Sequence, residues 1–133
     1  MKVTNMKEFW KEWLQAKCQV TDLKLEAGAL PKLVRDNIPE IIVKGGLGVT
    51  CTFPHDDGEY KSYLERKLLE EVIEYFESGA TEELADILEV IFALAETIEI
   101  SEKQLMKMRK IKRKKNGAFK KGIILKQIDS EED

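Results

Sequence analysis

Two stretches with a helical apolar period stand almost end to end in this chain. YKSYLERKLLEEVIEYFE runs from Tyr60 to Glu77, and EELADILEVIFALAE from Glu82 to Glu96. Only Ser78, Gly79, Ala80 and Thr81 separate them. Ser78–Gly79 suits the left-handed residue that closes a helix, and Thr81 is the expected cap of the next. So short a connection makes two long helices lie antiparallel, apolar stripe against apolar stripe. The chain is therefore expected to be all-α, built on a helical hairpin, with the second helix ending near Ile98.

The remaining segments are shorter. MKEFWKEWLQ spaces Phe9, Trp10, Trp13 and Leu14 as one face of an amphipathic helix over 6–15, followed by a connecting loop that ends in GALP. In KLVRDNIPEIIVKGG, Asn37 is placed to cap a helix, with Pro39 in its first turn, Glu40 completing a capping box and Gly45–Gly46 stopping it. GVTCTFPHDDGEY is β-branched and then turn-rich, which predicts a short strand and a loop. Ser101 with Gln104 forms a second capping box that opens a basic helix to about Lys115. Asn116–Gly117 ends it and leaves AFKKGIIL as a tail. Domain organisation follows: 1–30 an N-terminal helix and linker, 31–126 the main domain, and 127–133 an acidic tail whose end is expected to fray.

The 133 residues suit one domain. A net charge of −3 excludes a general polyanion binder, but the charge is unevenly spread. Eleven of the 22 Lys and Arg lie between Ser101 and Lys126, while the central helices hold most of the acids. Such asymmetry points to an anionic ligand or a self-complementary assembly. Cys18 and Cys51 have no CxxC spacing, and the single His55 excludes a His-rich zinc site. No apolar run reaches membrane-span length and none resembles a signal core, so a cytoplasmic, reduced protein is expected.

Some acids sit on the wrong side of their helices. Taking about 100° per residue with Asp86 at zero, Val90 falls at roughly 40°, Leu94 at roughly 80° and Ile91 at roughly 140°. Glu83 lands at roughly 60°, inside this apolar arc, whereas Glu82, Glu89 and Glu96 cluster at roughly 280–320° on the solvent side. On the preceding helix Glu71 lies within about 20° of Leu64, flanked by Glu74, in a stripe continued by Leu68, Val72 and Phe76. Clustered carboxylates tilted towards a core need compensating cations. Four of them, paired i, i+3 on two facing helices, suit an oxygen-ligated divalent metal such as Mg²⁺. An ordinary reading competes: Glu71 can pair with Lys67, and Glu74 with a base of the third helix.

With these residues in view, EVIE (Glu71, Glu74) followed by ELAD (Glu83, Asp86) resembles the ExxE…ExxD signature of the all-α nucleoside triphosphate pyrophosphohydrolases, the MazG-like superfamily. KLVRDNIPEII, YLERKLLEEVIEYFES and a basic helix leading to GAFKKGIIL are similar, in that order, to its phosphoribosyl-ATP pyrophosphohydrolase-like branch. The resemblance spans Lys32 to Leu125. Only eight residues separate Glu74 from Glu83, fewer than in many members, and the first thirty residues have no counterpart. The resemblance implies that Glu71, Glu74, Glu83 and Asp86 are the catalytic metal ligands, with Glu70 as a supplementary ligand or outer partner. It implies Mg²⁺, with Mn²⁺ as the alternative, and an activated water that splits the α–β linkage of a nucleotide into nucleoside monophosphate and pyrophosphate. Nucleotide-pool housekeeping is the expected role.

A triphosphate also needs cations. Lys32 and Arg35 are the first candidates, with Asp36 orienting Arg35, and Lys67 is positioned to reach inward. Lys112, Lys115 and Lys121 would contribute from a basic flap. Two other classes of function stay open: a non-catalytic helical interaction module, and, ranked below it, nucleic-acid binding through Arg109–Lys121. Tyr60, Tyr63, Tyr75, Phe76 and Phe92 are expected in the core, and His55 at the surface. A hairpin this short leaves apolar surface uncovered, so a homodimer or higher oligomer in a four-helix arrangement is expected.

Overall fold

The computed structural model describes residues 30–130. These form four helices: α1 (Ile38–Lys44), α2 (Asp57–Ser78), α3 (Thr81–Thr97) and α4 (Glu102–Asn116). Among the described residues there is no strand, and the fold is all-α. The expected helix carrying Trp10 and Trp13 lies outside the described residues.

The hairpin of α2 and α3 is the body of the structure, and α4 packs more lightly on α3. Asp56 caps α2 by accepting a hydrogen bond from the backbone N–H of Glu59 at 2.8 Å, which starts the helix three residues before Tyr60. Its 22 residues extend about 33 Å. Gly79 then adopts φ 67°, and its N–H donates to the Tyr75 carbonyl at 2.7 Å. That left-handed residue turns the chain. Thr81 does not cap α3: the capping position falls on the extended Ala80, and no side chain caps that end. One αL residue followed by one extended residue completes the reversal, so Thr81 is already helical.

Two further local expectations are corrected. Asn37 has φ −92° and ψ −3°, and its side chain makes no cap. The helical turn has begun before it, with the Ile38 N–H donating to the Arg35 carbonyl at 3.0 Å. Glu40 pairs instead with Lys44 at 2.9 Å, one turn on. The segment after Gly46 carries no strand, because the described fold offers it no partner strand and an isolated β-segment cannot satisfy its backbone. The second capping box does form. Gln104 N–H donates to Ser101 Oγ at 3.1 Å, and Ser101 N–H to Gln104 Oε1 at 2.8 Å.

The core is thin. Leu64, Ile73, Val90 and Ala95 are the buried apolar residues among those described, and none is completely enclosed. Leu68, Val72, Phe76, Ile91 and Leu94 are half-buried, as are the five aromatics expected in the core. Leu84, Leu88, Ile98, Met108 and Ile111 remain exposed, as does the tail from Phe119 through Ile128. Against this background, the burial of Glu70 and Glu71, each 6% exposed, stands out.

Candidate metal centre

The helical period sets Glu71 and Glu74 on the side of α2 that meets α3, where Glu83 adjoins both and Asp86 converges with Glu71 from the first turns of α3. Glu71, Glu83 and Asp86 each offer one carboxylate oxygen, and these three atoms lie within 4.8 Å of one another. With both carboxylates ionised, Oε2 of Glu71 and Oε2 of Glu83 are buried with no donor in reach. A buried carboxylate oxygen without a donor is costly, and a hard cation supplies what both lack. All-oxygen donors on two rigid helices fit Mg²⁺ or Mn²⁺ in chemistry.

Metal-free, the cluster handles its charge in two ways. The first is protonation. The Glu83 carboxyl is pushed up to about 7, foremost by its hydrogen bond with Glu71, then by lost hydration and the charge of Glu74. A proton on Glu83 lets two carboxyls that would otherwise repel share a hydrogen bond. Glu74 is also raised, first by burial and then by the charges of Glu71 and Glu70, with a hydrogen bond to Glu83 acting in the opposite direction. Glu74 thus adjoins Glu71 and Glu83, although it is not one of the three residues whose oxygens converge.

The second is internal cations. Lys67 Nζ lies 3.3 Å from Glu71 Oε1 and 3.3 Å from Glu70 Oε2. Burial by itself lowers the Lys67 pKa, but the two carboxylates outweigh it and the net direction is upward. Lys32 Nζ approaches the other oxygen of Glu70 at 3.7 Å. Both Glu70 oxygens therefore face lysines, and Glu70 is absent from the converging trio. Glu70 holds two lysines beside the cluster. Arg35 Nη2 donates to Asp86 Oδ1 at 2.6 Å, so Asp86 orients the guanidinium in place of the expected Asp36.

Lys112, Lys115 and Lys121 are not brought here. They are exposed, and no ion pair joins them to the acids among the described residues. Among the described residues, no ion pair joins Glu74 to a base of α4 either. Of the cations named from sequence, Lys32, Arg35 and Lys67 gather at the cluster and the flap lysines do not. His55 is exposed, as expected. The pairing of Arg35 with Asp86 had no sequence signal, since 51 residues separate them. The pairing of Lys67 with Glu71 did, through its i, i+4 spacing.

No protein-family model, curated protein or solved structure matches the chain. Among the described residues, no helix is long and apolar enough to cross a membrane.

Proposed function

We propose that this protein is a Mg²⁺-dependent nucleotide pyrophosphohydrolase of the MazG-like kind its sequence resembles. It would cleave a nucleoside triphosphate or related nucleotide at the α–β linkage to nucleoside monophosphate and pyrophosphate. The observation that carries the reading is the meeting of Glu71, Glu83 and Asp86 oxygens within 4.8 Å, two of these residues having a buried oxygen that no donor reaches when both are ionised. Glu71, Glu83 and Asp86 would hold the ion, with Glu74 at the edge of the set. When bound, a divalent cation offsets charge on phosphoryl oxygens and makes water acidic enough to supply hydroxide near neutral pH.

The chain's own residues do the rest. Lys67 and Lys32, fixed on Glu70, present two positive charges beside the acids, where a polyphosphate would dock. Arg35 adds a guanidinium that can fork onto phosphate oxygens. Hydrolysis forms one bond from water oxygen to phosphorus. It breaks the bridging P–O bond, whose electron pair leaves with pyrophosphate. No side-chain nucleophile is needed.

A panel of ribo- and deoxyribonucleoside triphosphates with Mg²⁺, assayed for pyrophosphate, tests this. Release from at least one nucleotide is expected, with loss in Glu83→Gln. Silence across the panel overturns it. The rival reading is a helical interaction module without turnover, and it draws on the exposed apolar residues of α3 and α4 together with the lysine-rich surface of α4. The same surface supports self-association into a homo-oligomer, which is part of our proposal, as is a cytoplasmic role in nucleotide-pool housekeeping.

A further inference from the structure

Three cations face the acidic cluster, and they are not held alike. Lys67 and Lys32 both contact Glu70, which lies outside the converging trio. Lys67 could lose its link to Glu71 and keep Glu70, and Lys32 pairs with Glu70 and with no member of the trio. Arg35 differs. Among the described residues its one acid partner is Asp86, itself a member of the trio. The pair is short at 2.6 Å but open to water, with the Arg35 side chain 55% exposed. Arg35 also sits in non-helical chain before α1, anchored by the half-buried Leu33 and Val34. Its side chain can therefore swing without unpacking a helix.

The geometry points to an exchange at Asp86: Arg35 is a removable counter-ion, displaced when a divalent cation takes that carboxylate, and the freed guanidinium then becomes a contact for nucleotide phosphate. This rests on the proposed metal site and adds an order of events, metal before nucleotide. A guanidinium and a divalent cation on one carboxylate repel each other. The exposed pair costs little to open, whereas among the described residues the freed Arg35 pairs with no other acid. A phosphate, which accepts two parallel N–H donors, is the partner it fits.

Calorimetric titration of the full chain with Mg²⁺ alone, without nucleotide, tests the exchange in wild type, Arg35→Gln and Lys32→Gln. Arg35→Gln is expected to bind Mg²⁺ about 2- to 5-fold more tightly, the range an exposed ion pair supports. Lys32→Gln, which removes a charge from Glu70 and not from the trio, should change affinity less. In wild-type protein, the Arg35 Nε–Hε resonance should shift on adding Mg²⁺, before any nucleotide is present. Unchanged or weaker binding in Arg35→Gln overturns the exchange, as does an equal gain in Lys32→Gln or an unmoved Arg35 resonance. Absence of Mg²⁺ binding in all three proteins overturns the metal site itself, a separate outcome from failure of the exchange.

Discussion

Replacing Lys67 with Met keeps the length of the stem and removes its charge. The wild-type ammonium lies 3.3 Å from both Glu70 and Glu71, whose side chains are 7% and 8% exposed, while its own is 17% exposed. After the change Glu70 retains Lys32 at 3.7 Å, and Glu71 is left with no cation among the described residues. Stranding one member of a buried ion pair costs about 3–5 kcal/mol, and the lower end applies because Lys67 reaches water at the rim. A loss of about 3 kcal/mol lowers Tm by about 9–13 °C in a chain of 133 residues, whose unfolding entropy scales with length. Circular dichroism melts in EDTA measure it. Lys67→Met/Glu71→Gln should recover most of the loss, since the stranded charge is gone. Saturating Mg²⁺ should also rescue the single variant, and at a hundredfold its Kd the ion stabilises by about 2.7 kcal/mol. A Lys67→Met melt within about 0.5 kcal/mol of wild type would refute the reasoning, because it would mean that water already neutralises the cluster.

Glu83→Gln and Asp86→Asn should each abolish most of the Mg²⁺-induced rise in Tm, and unchanged shifts would remove both residues from the ligand set. Metal-free stability should fall as pH rises from about 4.5 to about 7, because Glu83 keeps its proton in the folded state after the unfolded chain has released it. The contribution is fully present below 4.5, and the raised Glu74 acts in the same direction. Mg²⁺ binding at pH 6 should release protons, seen as heats that depend on the buffer's ionisation enthalpy. Gly79→Ala places a Cβ at φ 67° and should cost about 1–2 kcal/mol in denaturant melts while leaving Mg²⁺ affinity near wild type.

The hairpin could be read from sequence because it depends on local properties. Apolar residues at a helical period and a glycine at the turn act within a few residues of each other, and so does the Ser101–Gln104 box. Where local signals competed, the reading failed at single residues: Asn37 stands at the N-cap but its side chain makes no cap bond, and Thr81 lies inside the helix whose N-cap is Ala80. The β-branched run after Gly48 has strand propensity and no neighbour to pair with. Propensity without a partner yields loop.

Sequence alone determined that Glu71 and Glu83 would fall on the apolar sides of adjacent helices, with Asp86 at the border, since a helix places every side chain at a set angle about its axis. It also placed Lys67 one turn from Glu71. Tertiary structure decided which acids converge and which cations answer them. The separation of side chains on different helices depends on how the helices approach, so only the folded hairpin makes Glu70 a holder of lysines and sets Glu74 at the edge. Only the folded chain brings Arg35 onto Asp86, because proximity across 51 residues is a product of packing and not of spacing.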